Sequence, residues 1–108
     1  MLKNIREVIR DFRNRRNWSQ FHSPKNLSMA IAIESGELMG HFQWLDCNES
    51  LELIDSDSKQ AILDELADVL IYCINMADIL DVEIEDIILD KLAKNNQKYP
   101  VEDYQSRF

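Results

Sequence analysis

Four acidic residues stand in two pairs: Glu34 and Glu37 within "IAIESGELMGHFQW" (31–44), and Glu65 and Asp68 within "DELADVLIY" (64–72). Like charges three residues apart on a helix share a face and repel by roughly 0.2–0.5 kcal/mol. Gly36, between the first two, costs a helix interior on the order of 1 kcal/mol relative to Ala. At about 100° per residue, Glu34 and Glu37 lie along a stripe with Leu27, Ala30, Leu38 and His41. Glu65 and Asp68 continue through Tyr72, Met76 and Ile79, while Asp64 points towards a more polar side. Either pair alone is what a solvated helix face carries. Two pairs on oily stripes of adjacent helices can instead bring four carboxylates together. Such a cluster raises some of its own pKa values unless a cation compensates. Hard oxygen ligands suit Mg²⁺, Mn²⁺ or Ca²⁺, and no His or Cys cluster is available for zinc. Because Mg²⁺ usually keeps waters and takes its other oxygens from phosphate, the pattern points to a nucleotide or diphosphate substrate.

Two further groups fit that chemistry. Ile84, Ile87 and Ile88 define the buried face of a later helix, and one turn on Lys91, Asn95 and Lys98 take the same direction. Cations near a helix C-terminus complement its dipole; beside a carboxylate–metal cluster they also suit phosphate oxygens. Trp18, His22 and Trp44 are flat rings close in sequence to the first acidic pair, and stacking on a base is worth roughly 1–3 kcal/mol. The same residue types are common in cores and interfaces.

Helices must position all of these. Leu2, Ile5, Val8, Ile9 and Phe12 recur at helical spacing and predict a first helix over about 2–16. Ser23 followed by Pro24 reads as an N-cap with Pro at the first helical position, opening a second helix over about 24–45. "LDCNESLELIDSDS" reads as a loop containing at most a short turn, with Ser56 or Asp57 capping a third helix over about 57–80. Asp81 is expected to cap a fourth, about 82–98, which Pro100 ends. The terminal "VEDYQSRF" is expected to be weakly ordered or devoted to a partner. In "VLIYCINMADIL" nearly every direction is oily, so that helix needs cover on several sides, and a dimer or larger assembly is expected.

With 108 residues, 45% hydrophobic and 30% charged, the chain suits one folded, all-α domain over 1–108; two Gly and two Pro are too few for the turns of a many-stranded β fold. A net charge of −8 argues against a general nucleic-acid binder. No signal peptide or membrane span is apparent, and Cys47 and Cys73 lack metal or redox spacing. Free thiols in a reducing cytoplasm are therefore expected. No Ser or Cys pairs with a His in a recognisable nucleophilic motif.

Glu34-Ser-Gly-Glu37 and Glu65-Leu-Ala-Asp68 together resemble the Glu-x-x-Glu … Glu-x-x-Asp signature of the all-α, MazG-like nucleotide pyrophosphohydrolases. "NWSQFHSPKNL", "ESGELMGHFQW", "DELADVLIY" and "KLAKNNQKYP" are similar to the dCTP pyrophosphatase branch, and the likeness spans about residues 17–100. The resemblance implies a four-helix MazG-like bundle completed by oligomerisation as a dimer or tetramer, with sites that draw on more than one chain. It implies hydrolysis of a nucleoside triphosphate between the α and β phosphates, to the monophosphate and pyrophosphate, with Mg²⁺ as cofactor and Mn²⁺ as a possible substitute. By position, Glu34, Glu37, Glu65 and Asp68 become metal ligands, with Glu34 or Glu37 as the base for the attacking water. Lys91 and Asn95 fall at the phosphates, with Lys98 and Tyr99 as accessories, and Trp18, His22, Trp44 and Tyr72 at the base. The implied substrate is dCTP or a modified dNTP, in nucleotide-pool cleansing. The alternatives are a related helical phosphohydrolase acting on dUTP or phosphoribosyl-ATP, or a helical assembly module without catalysis. Gly36 is expected to leave room for close helix packing on the side away from the acids.

Overall fold

A computed structural model describes residues 2–106. Helix α1 (Leu2–Arg15) is followed by a 3₁₀ turn (Trp18–Phe21), α2 (Pro24–Gly40), α3 (Cys47–Glu52), a second 3₁₀ turn (Leu53–Asp55), α4 (Lys59–Ile79), α5 (Ile84–Lys98) and α6 (Val101–Tyr104). Every regular element among the described residues is helical. The side chain of Leu2, part of the expected apolar stripe, and residues 107–108 of the terminal stretch lie outside the described residues.

The Ser23–Pro24 start is as expected: the Ser23 hydroxyl accepts from the Asn26 N–H at 3.1 Å, and Pro24 occupies the first turn. The helix ends earlier than its hydrophobicity suggests. After Gly40 the chain turns, with the Phe42 and Gln43 N–H groups both donating to the Met39 carbonyl, so Trp44 leaves the helical array. The expected loop contains a real helix, α3. Asp46 accepts from the Glu49 N–H at 2.8 Å while Glu49 accepts from the Asp46 N–H at 3.0 Å, a reciprocal capping box that nucleates it. Its signal, Asp-x-x-Glu at 46–49, is visible in the sequence.

Asp81 acts at the opposite helix end from the one expected. It closes α4 in the left-handed conformation (φ 57°), with Val82 N–H donating to Ala77 C=O and Asp81 N–H to Asp78 C=O. That is a Schellman closure, in which Asp tolerates the position better than most non-glycine residues. Glu83, not Asp81, precedes the first turn of α5, and no side chain caps it. The described part of the terminal stretch includes a short helix, α6, and the Tyr99 and Tyr104 rings meet edge-to-face at 5.1 Å.

The packed unit is α2 against α4, with α1 laid on α4 and on the Trp18–Phe21 turn. Leu27, Ile74 and Ala77 are its buried apolar side chains. A charged network joins α1 to α4. Asp78 accepts from Arg10 Nε at 3.0 Å and from Arg13 Nη2 at 2.9 Å, and Arg10 Nη2 also bonds it. Arg6 lies 3.7 Å from the same carboxylate and donates to Glu83 at 2.8 Å. Arg10, helped by Arg13, holds the Asp78 carboxyl below the usual range even though burial opposes the charge. The anchor stays ionised at neutral pH.

Helix α5 makes no more than glancing contact with the other helices. The radius of gyration, 17.0 Å, exceeds the roughly 13 Å of a compact chain of this length. Leu63, Leu66, Leu70 and Ile71 of α4, and Ile87, Ile88, Leu89 and Leu92 of α5, are all exposed. Gly36 is not needed for close packing within the chain, because a Cβ there would meet nothing within 4 Å. Among the described residues no helix is long and apolar enough to cross a membrane.

Candidate active site

The α2–α4 contact brings the two acidic stripes face to face. Carboxylate oxygens of Glu34, Glu37 and Glu65 lie within 4.8 Å of one another, with Glu34 and Glu65 half-buried and Glu37 exposed. Asp68 is exposed one turn further along α4 and faces an adjoining cavity. One oxygen each of Glu34 and Glu65 is inaccessible and has no hydrogen-bond partner. Orphaned acceptors beside a second and third negative charge are costly to leave uncompensated. The donor set is entirely carboxylate oxygen, so the residues fit a hard divalent cation.

The Glu34 carboxyl records the same strain. It is raised to about 7, first by burial, then by a hydrogen bond to Glu65 and by the charge of Glu37. Between the ordinary carboxyl range and about 7, the folded chain therefore holds a proton that the unfolded chain has released. The metal-free fold loses stability as pH rises through that window. A cation bound through Glu34 would displace this proton. Its affinity is expected to rise about tenfold per pH unit up to about pH 7 and then to level off. Calorimetric Mg²⁺ titrations across that range check this; a flat affinity would show that Glu34 is not among the ligands.

Beside the carboxylates is a cavity of about 420 Å³. Val8, Ile9 and Phe12 of α1 form one wall, and Trp18 and His22 from the 3₁₀ turn and its end form another. Asp68, Ile71, Tyr72 and Asn75 of α4 complete it. The rings pack edge-on, Phe12 against Trp18 at 5.7 Å and His22 against Tyr72 at 6.4 Å. Burial, reinforced by the charge of Arg13, pushes the His22 pKa below its ordinary value, so the imidazole is neutral at pH 7. Its Nδ1 is buried without a partner.

Of the residues singled out from sequence, Glu34, Glu37 and Glu65 converge, and Asp68, Trp18, His22 and Tyr72 line the adjoining cavity. Trp44 does not join them: it is 87% exposed in the turn after α2. Lys91, Asn95 and Lys98 lie on α5, which makes no more than glancing contact with the other helices, and Tyr99 lies at its end. Five cavity residues, Val8, Ile9, Phe12, Ile71 and Asn75, carry no obvious sequence signal. Phe12 reads as part of an ordinary apolar stripe, and Asn75 as an interruption of an oily helix, although it shares the α4 face of Asp68 and Tyr72.

A family model described as MazG-like matches residues 29–107, the segment that holds all four carboxylates. The chain belongs to the MazG-like family. Among relatives, dCTP pyrophosphatase 1 of Rattus norvegicus is 37% identical over 101 residues, covering 93% of this chain and 59% of the relative. The Homo sapiens protein of the same name is 36% identical over 100 residues, 92% of this chain and 59% of the relative. The chain thus spans 59% of the length of each of these relatives. A crystal structure of a pyrophosphatase from Archaeoglobus fulgidus superposes with a TM-score of 0.86 at 35% identity, covering 92% of each chain.

Proposed function

We propose that this MazG-like chain is a Mg²⁺-dependent nucleoside triphosphate pyrophosphohydrolase that cleaves between the α and β phosphates of dCTP or a modified dNTP, in cytoplasmic nucleotide-pool cleansing. One observation supports the reading: Glu34, Glu37 and Glu65 converge, and Asp68, one turn from Glu65 on α4, lines the aromatic cavity beside them, so a cation and a base could be held side by side. The names of the rat and human relatives support the substrate.

Glu34, Glu37, Glu65 and Asp68 would hold the cation, which supplies Lewis acidity and charge neutralisation at the phosphate oxygens. The carboxylates of α2 orient a water for attack on the α phosphorus and take its proton. The bond from that phosphorus to the oxygen bridging to the β phosphate breaks, and pyrophosphate leaves with the electron pair. Trp18, His22 and Tyr72 hold the base away from the reacting phosphorus.

The working form is a homodimer or homotetramer. The exposed apolar faces of α4 and α5 support this, as does an 87%-exposed Trp44. In the assembly, Lys91, Asn95, Lys98 and Tyr99 complete the phosphate end, and Trp44 closes the base end across a subunit boundary.

A panel of dNTPs and NTPs incubated with Mg²⁺, scored by product identity, tests the activity. Monophosphate and pyrophosphate, with dCTP or a modified dNTP favoured, are expected. Release of γ-phosphate, or no turnover of any triphosphate, would overturn the reading.

A further inference from the structure

The cavity floor holds a polar group that the mechanism above leaves unused. Asn75 is only 4% exposed, yet it is among the residues lining the cavity, two helical turns beyond Asp68 on the same face of α4. Arg13, itself 8% exposed, donates from Nη1 to Asn75 Oδ1 at 3.1 Å and from Nη2 to Asp78 at 2.9 Å. A guanidinium only donates, so the amide atom facing it must be the oxygen. With Oδ1 taken, what Asn75 retains for the cavity is its NH₂ group. Asp78, held in turn by Arg10, keeps Arg13 from swinging away.

The geometry points to Asn75 as the residue that reads the base edge, with Arg13 as the positioning residue that fixes its amide as a donor. This rests on the hydrolase reading for the identity of the ligand. An amide presenting only donors favours a base whose buried edge presents acceptors. Cytosine offers two adjacent acceptors, N3 and O2, whereas uracil and thymine interpose the N3–H donor between their carbonyls. The cavity places such a contact at the far end from the carboxylates, where a base would lie when its phosphates are at Asp68.

The test compares dCTP with dUTP twice, as equilibrium binding with Ca²⁺ replacing Mg²⁺, and as kcat/KM with Mg²⁺. Both are taken as ratios, which are insensitive to the fraction of folded protein. The wild type is expected to favour dCTP. Asn75→Asp keeps the shape and the Arg13 contact but offers the cavity only acceptors, so the dCTP:dUTP ratio should fall by about tenfold or more, through KM rather than kcat. Arg13→Met frees the amide to turn and should lower the ratio less, whereas Arg13→Lys keeps a donor and should preserve it. An unchanged binding ratio in Asn75→Asp, or a wild type without preference for dCTP, overturns the assignment. If Arg13→Met keeps the wild-type ratio, the positioning role of Arg13 is overturned. Selective binding without turnover of either nucleotide would sink the hydrolase reading and leave the Asn75 assignment supported. Binding of neither would sink both.

Discussion

Glu34→Gln is expected to lower pyrophosphate release by on the order of 10³-fold and, in the same protein, to raise the melting temperature of the metal-free form at pH 8. The two effects have one cause. Glu34 sits half-buried within 4.8 Å of Glu37 and Glu65 with an unpartnered oxygen, and its carboxyl is raised to about 7. Above that pH the fold carries a charge that its surroundings oppose, and the isosteric amide removes it. On the proposed reading the substitution also removes a ligand oxygen with full negative charge, which an amide does not replace at a hard cation. A residue kept for packing would show the reverse, lower stability with little change in rate. Thermal melts with and without Mg²⁺, run beside the turnover assay, separate the cases. Retained activity in Glu34→Gln would remove Glu34 from the metal site, and Asp68→Asn applies the same test to the residue that joins the cluster to the cavity.

Ile88→Asp should dissociate the proposed oligomer and take the proposed activity with it. Ile88 is 48% exposed on α5, beside Ile87 and Leu92, on a helix that scarcely touches the rest of its own chain. An amphipathic helix with no partner face gains nothing from ordering its apolar side, and burial at a subunit boundary would supply the missing gain. Placing an unpaired carboxylate there costs several kcal/mol once the face is covered. Sedimentation velocity should report monomers, and turnover should fall by at least about 100-fold, since Lys91 and Asn95 would lose the carboxylates they are proposed to face across the boundary. A variant that stays assembled shows that α5 does not form the boundary. A monomer that retains full activity shows that one chain holds the complete site.

Much of the local structure follows from the chain alone, because capping and period are short-range. Ser23 and Pro24 have to begin a helix, and the Asp46/Glu49 spacing is a capping box whether or not anything packs on it. Even the error at Asp81 is local in origin. Asp is favourable both before a helix and in the left-handed position after one, and only the hydrogen bonds back to Ala77 and Asp78 distinguish the two. The stop at Gly40 is harder to read, since the apolar residues continue through Phe42, Trp44 and Leu45 and mask the turn.

The acidic pairs were legible because i, i+3 spacing on an oily stripe is unusual enough to demand an explanation. By itself the sequence determined that two helices each carry a carboxylate pair on one face; of each pair, one member, Glu34 or Glu65, is half-buried and the other, Glu37 or Asp68, is exposed. Only the tertiary structure decided which groups meet. Packing α2 on α4 selected Glu34, Glu37 and Glu65 as a cluster and turned Asp68 towards the cavity. Laying α1 across α4 put Arg13 against Asn75, a contact between residues 62 apart. Helix α5 was left outside, with its lysines. The physical reason is that periodicity fixes direction around one helix axis, whereas the meeting of two faces depends on how whole helices bury their apolar surface. No short-range pattern encodes that choice.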